Sequence, residues 1–344
     1  MIRALLAVAA LISSIFPASV IPVSVIPVSI VPVPVVPVPW HPKPSVSYRP
    51  PRPPASCTIL PADNVWHSPI ASLPTDPRSA SYLASVGAAK PLHPDFGSGL
   101  LDGQPFGIPI TIVTTSAAPV RISFDYADES DPGPYRIPAT ALIENGPQST
   151  GDRHVIEWDL ASCTGYELWN ATRHSDGSWT AGSGAIFNLR SDALRPSGWT
   201  SADAAGLPII AGLVRYDEVA AGRIDHAIRM TVPATDRAFR WPARHQASNQ
   251  TNPALPPMGA RFRLKSSVDI SRLPPQARVI AQALKTYGAL VADNGSAWYL
   301  SGTEDARWDN EQLDALKALK GSDFEAIDES SLQISPDSGQ ARQP

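Results

Sequence analysis

The chain has 344 residues, a formal charge of −4 and only 17% charged side chains. That charge is too small and too mixed for a phosphate backbone, which needs clustered Lys and Arg, so nucleic acid is excluded as a partner. With 22 glycines and 37 prolines, the composition favours turns and short strands over long exposed helices.

Arg3 precedes an apolar run from Ala4 to Phe16, the pattern of a secretory signal. A five-residue repeat follows at Ser19–Val23, Ser24–Val28, Ser29–Val33 and Pro34–Val38, with Pro in fourth place each time. Those prolines forbid one continuous membrane helix, because each removes a backbone donor and clashes with the preceding turn. Residues 1–18 therefore read as a signal peptide or an uncleaved anchor, and 19–56 as an extended proline-rich stalk. An uncleaved anchor is the only route to a membrane. The expected location is outside the cell or at its surface.

The two cysteines, Cys57 and Cys163, read as one disulfide in an exported chain. The bridge would close a loop of about 107 residues and contribute on the order of 4–5 kcal/mol on the loop-entropy argument. Two free buried thiols are the alternative.

From Cys57 onward, period-two alternation recurs, and it predicts strands over 120–126, 154–160, 224–232 and 261–266. Segments 106–114, 165–172, 184–190 and 289–301 are further strand candidates. Two helices are predicted late in the chain. One opens at Pro274-Pro275 and closes at Gly288; the other is capped by Asp309 and closes at Gly321. Strands first and helices last predict a mainly β domain over 57–328, of β-sandwich or jelly-roll type with two peripheral helices. The polar tail 329–344 is expected to be disordered.

No nucleophile elbow, zinc-protease helix, phosphate loop or EF-hand loop is present. Polar residues instead crowd the joints between strands, where sites tend to be built. The joint Asp128–Tyr135 carries three carboxylates beside an aromatic ring; it suits acid–base work or calcium, or a plain solvated turn. Glu144, Asp152 and His154 cluster next. Alternation puts His154 on an apolar strand face, where it is either a core residue or a proton carrier in a groove. His226 poses the same choice. Tyr135, Trp199 and Trp241 offer flat faces for sugar rings, and Arg229 or Arg244, with His245 nearby, suits a carboxylate of the substrate.

The stretches 95–98, 128–135, 151–154, 199–208, 212–219, 225–229, 243–245 and 292–296 resemble a group of secreted bacterial proteins of unassigned activity, over nearly all of residues 57–328. The resemblance carries no reaction, cofactor or catalytic residue.

Two functions are expected from the residues. The first is a secreted enzyme acting on polysaccharide. As a hydrolase it would use carboxyls among Asp131, Glu144, Asp152 and Asp225. As a lyase it would use His154 or His226 as base beside a uronate held by Arg229 or Arg244. The second is a non-catalytic protein that binds cell-wall glycan. No cofactor is predicted. His93, Asp95, His154, His226 and His245 permit a transition metal, but they lack ligand spacing.

Overall fold

The computed structural model describes residues 57–101 and 103–343, all within the unit Pro50–Pro344. The leader and the stalk lie outside the described residues. Fifteen strands and five α-helices are found among the described residues, and strand outweighs helix. In chain order the first strands are β1 (His93–Asp95), β2 (Leu100–Leu101), β3 (Gln104–Pro105), β4 (Ile110–Val113) and β5 (Ile122–Phe124). Then come β6 (Val155–Asp159), β7 (Thr164–Trp169), β8 (Thr172–Arg173), β9 (Trp179–Ala181) and β10 (Ser183–Asn188). The last are β11 (Ile228–Val232), β12 (Arg261–Leu264), β13 (Ala289–Asn294), β14 (Tyr299–Ser301) and β15 (Phe324–Ile327). The helices are α1 (Ser79–Val86), α2 (Ile209–Gly212), α3 (Tyr216–Ala220), α4 (Pro275–Thr286) and α5 (Asn310–Asp314).

The protein is mainly β. A six-stranded sheet has the order β1-β14-β11-β13-β12-β15, and a four-stranded sheet the order β10-β7-β6-β4. Both are mixed: β1/β14, β11/β13 and β4/β6 are parallel pairs. β5-β9-β8 and the hairpin β2-β3 complete the set.

The expected alternation over 154–160 is realised in β6, where Ile156 and Trp158 point into the main core and Val155 into a smaller second core. The helix from Pro275 is α4, with Ala277, Ile280 and Leu284 buried. It ends at Gly288, whose φ of +70° suits glycine; a Cβ there would lie 2.4 Å from the Phe262 carbonyl oxygen. Asp309 caps α5 through the amides of Glu311 and Gln312, but α5 lasts five residues and passes into a 3-10 turn, Ala315–Ala318.

Helices are not confined to the end of the chain. α1 precedes every strand, and α2 and α3 fall between β10 and β11. The strand expected over 224–232 begins only at Ile228, so His226 lies before it. The tail expected to be disordered is packed. Leu332 and Ala341 are buried, Ala193 bridges Ser338, and Gln333 bridges Ala341. Cys57 and Cys163 form the disulfide, with Cα atoms 5.3 Å apart and 106 residues between them in sequence.

Residues 200–214 bond to both of the larger sheets. Ser183 Oγ of β10 donates to Ser201 O, and Glu167 of β7 accepts the amides of Ile209 and Ile210, each at 2.9 Å. On the other side Ala205 N donates to Ala292 O of β13, and Val214 N to Ser301 O of β14. Gly212 permits the close approach to β11, since a Cβ there would sit 2.7 Å from that of Arg229. This segment brings buried charge from both sheets to one place.

Candidate functional site

Glu144 lies on a turn closed by Gly146 N donating to Ile143 O at 2.8 Å. Asn145 takes φ +56° there, a conformation that Asn tolerates. Arg153 braces the following loop by donating to Pro147 O, Ser149 O and Ala171 O. That bracing delivers His154 to Glu144. The His154 amide donates to Glu144 Oε2 at 3.3 Å, and Nδ1 lies 2.6 Å from the same oxygen. Nε2 lies 3.2 Å from Ala202 O.

Both partners of the His154 ring are acceptors, so both ring nitrogens donate and the ring is an imidazolium. Burial opposes that charge, but Glu144 outweighs burial and raises the His154 pKa to about 9. Burial likewise opposes the Glu144 charge, and His154 outweighs it, so the carboxyl sits below its ordinary range.

Next to this pair lies a second one. Arg229 of β11 is buried and grips Asp203 in bidentate fashion, Nε at 3.0 Å and Nη2 at 2.9 Å. Its Nη1 donates to Ser301 Oγ at 2.7 Å, and Nη2 also reaches Asp293 at 3.2 Å. These carboxylates hold the guanidinium proton well above its usual range, against burial. Asp293 shares the guanidinium with Asp203, and burial, with Asp203 adding to it, pushes its carboxyl up to about 6.

Strand register adds Asp95. β1 runs parallel to β14 with Asp95 opposite Ser301, the residue that meets Arg229. Asp95 and Glu144 line one cavity of about 380 Å³, together with Gln104, Phe106, Asn145 and Gln148. Desolvation by the cavity walls, then the Glu144 charge, push the Asp95 carboxyl above its ordinary range. So two carboxyls in one cavity are driven in opposite directions. Two larger depressions, about 590 and 480 Å³, lie beside Val268–Ser271 and beside Arg78 and Arg240. The first holds a single carboxyl, Asp269; the second also holds an opposed pair, Asp328 shifted down and Glu329 up, but Glu329 is buried against Arg261.

No family model, curated protein or solved structure matches the chain.

The residues expected to form a site are only partly brought together. Glu144, His154 and Arg229 belong to the cluster, and Asp152 stands at its edge, accepting from Trp169 Nε1 at 3.3 Å while its charge acts on Asp95 and His154. His226 does not share it. Its Nε2 lies 3.2 Å from Glu218 and its Nδ1 2.7 Å from Ala227 O, and Glu218 also pairs with Arg215. Neither ring nitrogen is left free. The His154 and His226 rings have no hydrogen-bond partner in common.

Asp225 is exposed and pairs with Arg223. Asp131 pairs with Arg195 and accepts Ile186 N at 2.8 Å. Glu129, from the same joint, accepts Thr200 N and lies 3.6 Å from His245 Nε2, while His245 Nδ1 meets Ala204 O. The acidic joint thus serves as a brace and not as a gathered ligand set. Tyr135 is buried against Phe124 and Tyr166 and offers no face to a ligand. Trp199 lies under Arg195, and Trp241 Nε1 donates to Ser338 O. Arg244 spends its donors on Arg195 O, Pro336 O and Asp337. A buried guanidinium so committed cannot also hold a substrate carboxylate, and the same holds for Arg229.

Among the described residues no three or more of His, Cys, Asp and Glu are grouped to hold a metal. His93 stacks on Tyr299, with ring centroids 4.0 Å apart. In the sequence Asp203 and Asp293 stand out only as members of the stretches 199–208 and 292–296, and Ser301 and Glu167 carry no signal of their own. Asp95 was named there only as a metal ligand.

Proposed function

We propose that the protein is a secreted or surface-held hydrolase of glycosidic bonds. The observation that carries this reading is the pairing of Asp95 and Glu144 in one cavity with their carboxyls shifted in opposite directions. Environments that separate two carboxyls in this way divide the roles of acid and base. Asp95 gives its proton to the departing glycosidic oxygen. Glu144, held ionised by His154, takes a proton from the water that attacks the sugar carbon. The amides of Gln104, Asn145 and Gln148 suit sugar hydroxyls. The lyase route is weaker, because His154 already holds its proton and Arg229 its carboxylates.

Export is supported by the apolar leader and the disulfide; among the described residues no helix is long and apolar enough to cross a membrane. In the same reading the six- and four-stranded sheets are the two layers of a sandwich around residues 200–214. The alternative, a non-catalytic glycan-binding or wall-associated protein, draws on the same cavity amides.

Purified protein incubated with a panel of polysaccharides and wall glycans should release new reducing ends, and Asp95→Asn and Glu144→Gln should each abolish them. Glycan retention without turnover in the wild-type protein would favour the binding alternative instead.

A further inference from the structure

The other face of β6 carries charge that nothing in the cluster above uses. Glu157 and Asp159 alternate on one side of the strand, opposite to Ile156 and Trp158. Both are fully buried. Glu157 Oε1 and Oε2 and Asp159 Oδ2 accept no hydrogen bond among the described residues. Asp159 Oδ1 is satisfied, taking the amides of Ala161 at 2.9 Å and Ser162 at 3.2 Å. Three buried carboxylate oxygens are thus left without a partner on one sheet face.

Buried carboxylates without partners are costly, and native proteins pair them or give them to a metal. Among the described residues no positive side chain pairs with them. Arg136, on this side of the sheet, donates to Ala117 O and forms no ion pair with either residue. Three of the four neighbours across the strands bear side-chain oxygen: Thr111 and Tyr166 flank Glu157, and Thr164 flanks Asp159, whose other neighbour is Val113. An all-oxygen donor set with two carboxylates is the chemistry of a hard divalent cation.

We propose that Glu157 and Asp159 form a structural calcium site on the face of the four-stranded sheet that also bears Val155 and the second core. It is separate from the Asp95–Glu144 cavity and does not depend on its chemistry. The ion replaces the missing positive partner and pins β6 to β4 and β7, whose threonine and tyrosine side chains surround it.

The test uses the full chain, stripped with chelator and titrated with calcium chloride. Calorimetry should find one ion per chain. At a hundredfold excess over Kd the melting temperature should rise by roughly 5 °C. Glu157→Gln and Asp159→Asn keep the shape but remove one charge each, and each should abolish both the bound ion and the rise. Should either variant fold poorly, terbium luminescence on the wild-type chain gives an independent reading. Tyr166, opposite Glu157, should sensitise the emission, and added calcium should quench it. No binding of calcium by the stripped wild-type chain would overturn the proposal. So would a calcium effect that persists in both variants. In either case Glu157 is simply a buried neutral acid.

Discussion

Glu144 accepts both the backbone amide and the imidazole of His154 on a single oxygen, Oε2. One residue thus fixes its neighbour's position and its charge together, and the arrangement makes stability depend on pH. The His154 pKa is raised from 6.5 to about 9, so its contribution is complete below 6.5 and lost as pH rises through about 9. That is roughly 3 kcal/mol at 1.36 kcal/mol per unit. Glu144 is shifted the other way, so its part is present above its ordinary 4.5 and lost as pH falls below it. Urea unfolding should show maximal stability between these limits and a decline of this size by pH 9.5. In His154→Gln the alkaline decline should flatten, and a slope equal to wild type would refute the assignment.

Asp203 is fully buried and holds Arg229 at two points. Removing one partner of such a pair strands a buried charge, which costs about 3–5 kcal/mol. Asp203→Asn should lose that much by chemical denaturation. Asp293→Asn should lose clearly less, because Asp293 is partly open to water and touches Arg229 once.

Glu167 caps α2 by accepting two buried amides. Glu167→Leu leaves the amides of Ile209 and Ile210 unsatisfied, at about 1–3 kcal/mol for each. Glu167→Gln keeps one acceptor oxygen and should recover part of the loss. Equal destabilisation by Leu and Gln would mean that packing, and not the cap, matters at this position.

Local signals in the sequence were enough for β6, α4 and the disulfide. Alternation marks the two faces of 154–160, Pro275 and Gly288 bracket α4, and two cysteines allow one bridge. The cluster was less legible, because its pairings are long-range. Asp95 meets the Arg229 region only through the parallel pairing of β1 with β14, residues 93–95 against 299–301. Asp203 sits on a segment with no periodicity at all. For His226 the alternation was extended across residues 224–227, which are not strand, and its partner Glu218 lies on the short helix α3.

The tail shows the same limit. Its composition reads as disordered, yet Arg244 donates to Pro336 O and pairs with Asp337. Arg244→Met should raise amide hydrogen exchange over residues 335–341 by tenfold or more, a loss of about 1.4 kcal/mol or greater, while β6 and β7 stay protected. Unchanged protection of 335–341 would show that the bridges to Ala193 and Asn64 hold the tail alone.

The most direct test of the central claim is a carboxyl ¹³C titration of Asp95 and Glu144 by NMR in the full chain. An unperturbed Asp loses its proton before an unperturbed Glu, at 3.8 against 4.5. In this cavity the order should be inverted, with Glu144 ionising first and Asp95 after it, and Asp95→Asn should leave the Glu144 midpoint low. A titration in which Asp95 ionises first, at or below its ordinary value, would contradict the assignment of acid and base.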